Sequence, residues 1–118
     1  MTHSPAEIGR LLDRFDLAPR RELGQNFVAD ANTVRRIARL AEVGPGDSVV
    51  EIGSGLGSLT LALIETGADV MAIEVDPGLA AATRSVVGDR AVVVEADARN
   101  FDWGSVGDGT APITLVSN

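Results

Sequence analysis

The segment Val50-Glu51-Ile52-Gly53-Ser54-Gly55-Leu56-Gly57 restricts the fold of this chain more than any other. An apolar run ends on an acid, enters three alternate glycines and continues into Ser58-Leu59-Thr60-Leu61-Ala62-Leu63, which reads as a helix. Glycine at such a corner lets backbone N–H groups approach a ligand at the helix N-terminus, so the segment reads as the ligand-facing turn of an open α/β sheet. The alternation then repeats. Apolar runs at 48–52, 69–74, 91–96 and 113–117 predict strands, with helices at 57–66 and 78–87 between the first three. Continuous apolar strands joined by helices imply a parallel sheet buried on both faces. The connection between the third and fourth strands is polar, holds Gly104, Gly107 and Gly109, and has Trp103 as its only large anchor.

Upstream of the sheet the pattern is helical. Ser4, Pro5 and Glu7 supply a capping hydroxyl, a proline at the first helical position and a glutamate three after the cap. Ile8, Leu11, Leu12 and Phe15 follow at helical spacing, and this helix should end near Asp16. Residues 17–29 show neither period and read as a long loop that needs a reason for its length. A second helix should start near Asp30 or Asn32, turn Val34, Ile37, Ala38 and Ala41 inward and stop at Gly44-Pro45-Gly46-Asp47. The division that follows is a helical extension with its loop over 1–47 and a Rossmann-like half-domain over 48–118.

A chain of 118 residues can bury one modest core. Cysteine is absent and there is one histidine, which exclude a disulfide framework and a thiolate zinc site and make metal chemistry an unpromising reading. No apolar run approaches the roughly 18 residues that span a bilayer, and the N-terminus mixes acids and bases, so the expectation is a cytoplasmic protein without membrane association. The net charge of −7 argues against a nucleic-acid partner, although Arg20 and Arg21 adjoin and Arg35, Arg36 and Arg39 share one short segment.

Spacing narrows the ligand. A dinucleotide fingerprint needs its third glycine where this chain has Ser58. Glu74 ends the second strand, where a carboxylate can accept hydrogen bonds from both ribose hydroxyls. Asp97 closes the third strand and can accept from the exocyclic amine of adenine, a group for which dinucleotide binding has no need. S-adenosylmethionine is therefore the favoured cofactor, with a nicotinamide-dependent oxidoreductase domain as the alternative.

Five stretches together carry a resemblance: Leu23-Gly24-Gln25-Asn26-Phe27-Val28 followed by Asp30 and Asn32; Glu51-Ile52-Gly53 with Gly55, Gly57, Leu59 and Thr60; Glu74-Val75-Asp76; Asp97-Ala98; and Val116-Ser117-Asn118. In this order they resemble the ribosomal RNA adenine dimethylase family. The resemblance implies a class I S-adenosylmethionine-dependent methyltransferase fold, cut after its fourth strand and preceded by a helical extension. It implies N6,N6-dimethylation of adjacent adenines of small-subunit rRNA in a pre-ribosomal particle. The Leu-Gly before Gln25 is similar to that branch, and the Erm-type branch, which methylates large-subunit rRNA, is the alternative. By the same resemblance Asn26 and the backbone of Val28 hold the methionine end of the cofactor, Gly53 approaches it directly, Glu74 takes the ribose and Asp97 the adenine. Asn118 is the first residue of the family's Asn-Leu-Pro-Tyr motif, whose asparagine accepts from the target amine, and it also borders the cofactor.

Two departures stand out. Ser54 replaces a usual proline, which should loosen the turn. The chain also ends at Asn118, at a strand's carboxyl edge where ligands bind, so the expectation is a fragment that is inactive alone. Relatives that act as ribosome-assembly or transcription factors leave a non-enzymatic role as a third possibility.

Overall fold

The apolar runs assemble into one four-stranded parallel sheet. The computed structural model describes residues 3–15, 31–106 and 112–117. In chain order these form α1 (Pro5–Arg14), α2 (Ala31–Leu40), β1 (Ser48–Ile52), α3 (Ser58–Glu65), β2 (Asp69–Glu74), α4 (Pro77–Val87), β3 (Val92–Glu95), a 3-10 turn at Trp103–Ser105 and β4 (Ile113–Ser117). The strand order is β3-β2-β1-β4, with every pairing parallel. β1 is therefore central, and its end is where the chain order reverses direction across the sheet, the place where open α/β sheets bind ligands.

Strand period decides what each face meets. Val49 and Val50 are neighbours in β1 yet enter different clusters, because successive side chains point to opposite faces. Val49, Val70 and Val116 pack with Val34 and Ala38 of α2 and with Leu59, Ala62 and Leu63 of α3. On the other side Val50 and Ile73 pack with Val106, Phe101 and Ile113. Burial on both faces holds for β1 and most of β2. It fails at the edges, where Val92 of β3 and Leu115 of β4 are each 57% exposed.

The helix signals read locally are met. Ser4 Oγ accepts from Glu7 N at 3.2 Å while Ser4 N donates to Glu7 Oε1 at 3.3 Å, a closed capping box with Pro5 at the first position. Ile8, flanked by half-buried Leu11, Leu12 and Phe15, packs against Leu79 and Ala82 of α4 and Leu56 of the glycine turn. In α2, Val34 and Ala38 are buried and Ile37 is half-buried, as is Ala41 just beyond its end. Asn32 lies inside this helix instead of capping it, and Asp30 and the 17–29 loop lie outside the described residues.

The third crossover differs from expectation in its anchor. Trp103 is 37% exposed, donating from Nε1 to Ala98 O at 3.1 Å and meeting Phe101 edge to face at 5.3 Å. Val106, which is buried, and Phe101 make the contacts with the sheet. The indole was the visible signal, but Val106 and Phe101 are the side chains that pack on Val50 and Ile73.

Candidate functional site

Strand register brings the glycine turn and both acids to one edge. Ile52 lies between Ile73 and Ser117, and Gly53 N donates to Ile73 O at 2.8 Å. Ala96 N donates to Glu74 O at 3.0 Å, which places Asp97 just beyond the same edge. The two outer glycines of the turn have different uses. At Gly53 φ is +80°, the residue is exposed and an added Cβ would meet nothing within 4 Å, so its backbone is open to a ligand. At Gly57 φ is +89°, and an added Cβ would sit 3.5 Å from Thr83 Cγ2 and 3.6 Å from Val86 Cγ1. Here glycine serves the packing of the turn on α4. Gly57→Ala is expected to cost about 1–2 kcal/mol from the left-handed backbone alone, read as a lower unfolding midpoint; an unchanged midpoint contradicts this.

Glu74 is 5% exposed and braces the turn from below. Its Oε1 accepts from Gly55 N at 2.8 Å and its Oε2 from Asp76 N at 3.0 Å. Two backbone bonds leave lone pairs on both oxygens, since an ionised carboxylate has about four acceptor sites. Asp76 in turn caps α4, accepting from Leu79 N at 3.1 Å.

Ser54 corrects the expectation of a loosened turn. Its side chain is buried, and its Oγ lies 2.9 Å from Thr83 Oγ1, which also donates to Gly55 O at 2.8 Å. The serine that replaces a rigid proline thus stitches the turn to α4. Thr83→Val removes both bonds and leaves Ser54 Oγ without that partner, so a loss of roughly 1–3 kcal/mol is expected in chemical denaturation. Ser54→Ala in that background should recover part of the loss, because the Ser54 hydroxyl left unpaired by the loss of Thr83 Oγ1 is then gone. Failure to recover any would contradict this reading of the network.

Glu51 is buried in the centre of the sheet, where the hydroxyl of Thr60 donates to its Oε1. Burial raises its pKa to about 7, opposed by the Thr60 bond and assisted by the charge of Glu74. The sequence reading used Glu51 only as part of a motif. An acid inside an apolar strand, with a threonine nine residues on in the next helix, was the available signal. His3 was also missed: it is buried and its Nε2–H donates to Leu56 O at 2.7 Å, tying the start of α1 to the glycine turn.

Asp97 is held by Arg99. The Arg99 side chain donates from Nε to Oδ1 at 3.1 Å and from Nη2 to Oδ2 at 2.7 Å, and its backbone N reaches Oδ1 at 2.9 Å. These bonds pull the Asp97 carboxyl down to about 2, keeping it ionised at any working pH. One further polar group next to the turn in sequence has no partner. Among the described residues Ser58 Oγ is a buried side-chain oxygen with no hydrogen bond, at the first position of α3, whose N-terminus has no side-chain cap. An open Gly53, an uncapped helix start and an orphaned hydroxyl suit a ligand with polar groups at its end. Asn26, Val28 and Asn118 lie outside the described residues. No group of three His, Cys, Asp or Glu among the described residues could hold a metal ion.

Central β1 flanked by β2 and β4, and a glycine turn braced by the acid at the end of β2, define a domain of the class I S-adenosylmethionine-dependent methyltransferase fold. Solved structures agree. The 23S rRNA methyltransferase ErmE superposes with a TM-score of 0.63 at 33% identity, over 78% of this chain and 36% of that one. An RNA methyltransferase from Salinibacter ruber, in complex with S-adenosyl-L-homocysteine, gives 0.56 at 29% identity, over 63% of this chain and 52% of that one. Within this class the chain belongs to the ribosomal RNA adenine dimethylase family, whose model matches residues 17–114. The ribosomal RNA small subunit methyltransferase A of Cutibacterium acnes is 48% identical over 122 residues, covering 98% of this chain and 40% of that protein. This chain thus spans about 40% of the length of that relative.

Proposed function

We propose that this chain binds S-adenosylmethionine and serves in the N6,N6-dimethylation of adjacent adenines in small-subunit rRNA, presented in an assembling ribosomal particle in the cytoplasm. The carrying observation is the buried Glu74 that braces a glycine turn open at Gly53, in a chain of the adenine dimethylase family. When bound, the cofactor supplies a methyl group made electrophilic by its sulfonium. Glu74 keeps free lone pairs toward the ribose hydroxyls, and its position is set by Gly55 and Asp76. Asp97 offers its remaining acceptor capacity to the adenine amine beside Arg99. Ser58 Oγ and the start of α3 meet the polar methionine end, which Asn26 and the backbone of Val28 close from the loop. Asn118, the residue that follows β4 in the chain, accepts from the target amine and so aligns its lone pair for displacement. In this reading 1–47 is the extension that carries the closing loop and 48–118 the sheet that holds the cofactor.

The test is a chimaera in which this chain replaces the matching part of the Cutibacterium acnes relative. Labelled methyl groups should pass to adenine in under-methylated small-subunit particles. Transfer to large-subunit rRNA instead would place the chain with the ErmE-like enzymes that it also superposes on.

A further inference from the structure

An acidic chain that acts on RNA needs a local source of attraction, and the structure points to one away from the cofactor edge. All ten basic side chains are arginine. Several are engaged within the fold. Arg14 lies over the Phe15 ring at 5.3 Å, Arg84 donates to Val93 O at 3.2 Å, Arg90 donates to Val87 O and Val86 O, and Arg99 is paired with Asp97. Arg35, Arg36 and Arg39 differ. All three are exposed on α2, a helix without an acid of its own, and none takes part in an ion pair among the described residues.

That arrangement has an energetic cost and no visible structural return. Like charges four apart on a helix, as Arg35 and Arg39 are, oppose helix formation by a few tenths of a kcal/mol. The stability of α2 comes from its other face, where Val34 and Ala38 are buried against α3 and the sheet. Arg35 and Arg39 rim an open groove of about 350 Å³ between α2 and α3, with Glu65 on the opposite wall. Glu65 makes the groove itself a poor anion pocket, whereas the charged residues of α2 itself are all arginines. Val34 packs in one cluster with Val49 of β1 and Val116 of β4, the two strands that end at the cofactor edge, while Arg39 shares the groove with Glu65 and Thr66 at the end of α3. At 1.5 Å per residue Arg35 and Arg39 lie about 6 and 12 Å along the helix from its start.

We infer that the arginine crest of α2 is a contact for the rRNA phosphate backbone, which carries the substrate across the flank of the sheet toward the cofactor edge. The inference rests on the proposed rRNA substrate. Arginine suits it, since the guanidinium is permanently charged and its fork matches phosphate oxygens. The contact is independent of base sequence, because phosphates position an RNA without reading it.

The experiment measures binding of the chain to an unmethylated fragment from the 3′ end of small-subunit rRNA, and to a scrambled RNA of equal length, over a series of salt concentrations. The variant R35Q/R36Q/R39Q should lower the slope of log affinity against log salt by about 2–3 for both RNAs, with S-adenosylhomocysteine affinity unchanged. R35K/R36K/R39K should keep most of the slope, as should R10Q/R14Q on α1. If the glutamine triple loses its fold, the single variants carry the test, each expected to remove about one from the slope. Equal slopes for the parent chain and the glutamine variants overturn the inference, as does a parent chain that binds S-adenosylhomocysteine but no RNA. Absence of S-adenosylhomocysteine binding in the parent chain counts instead against the proposed function.

Discussion

Glu74→Ala is expected to weaken S-adenosylhomocysteine binding by roughly 30- to 150-fold, or about 2–3 kcal/mol. The carboxylate is buried, and its two oxygens already hold Gly55 N and Asp76 N at 2.8 and 3.0 Å. In the proposed complex each oxygen also accepts from a ribose hydroxyl, so alanine loses two charge-assisted bonds and the brace under the turn together. Glu74→Gln separates these contributions. The amide keeps one oxygen for Gly55 N but presents N–H₂ where Asp76 N donates, so an intermediate loss is expected. Calorimetry on both variants is the measurement, and an affinity unchanged in the alanine variant would remove the ribose from this position.

Stability should fall as pH rises from about 5 to about 8, and Glu51 is the cause. Its pKa is raised from 4.5 in the unfolded chain to about 7 in the fold, chiefly by burial. A raised acid binds its proton more tightly when folded. The associated stability is fully present below pH 4.5, declines through the interval and is gone above about 7. The gap corresponds to roughly 3 kcal/mol, a large part of the stability of a small domain. Groups with depressed values, Asp97 and Glu7, act in the opposite sense and at lower pH. Glu51→Gln keeps an acceptor for Thr60 while removing the ionisation, so it should be the more stable protein at pH 8 and show a flattened profile. Urea unfolding at pH 5.5 and 8 decides this; a parent chain equally stable at both contradicts a protonated, buried Glu51.

The strands were legible because parallel-sheet interiors write themselves as unbroken apolar runs. β1, β2 and β4 occupy the spans expected, and β3 is shorter by one residue at each end. The capping box at Ser4 was equally plain, being a local pattern with a local cause. What stayed hidden depended on partners distant in sequence. Ser54 looked like a weakened proline until Thr83 stood beside it, and His3 looked incidental until Leu56 O proved to be its acceptor. Trp103 was overvalued because side-chain size says nothing of the space available. Of the site, Gly53, Glu74 and Asp97 arrive at one edge as expected from their strand ends. The Arg99 pairing of Asp97 and the burial of Glu51 were not anticipated, since each needs the side-chain environment and not the motif.

The central claim is that the edge formed by Gly53 to Gly57, Glu74 and Asp97 receives S-adenosylmethionine. Titration of the purified chain with S-adenosylhomocysteine and, separately, with NAD tests it most directly. The account predicts saturable one-to-one binding of S-adenosylhomocysteine that Glu74→Ala abolishes or greatly weakens, and no saturable binding of NAD. Binding of NAD in preference, or S-adenosylhomocysteine binding indifferent to Glu74, would contradict it.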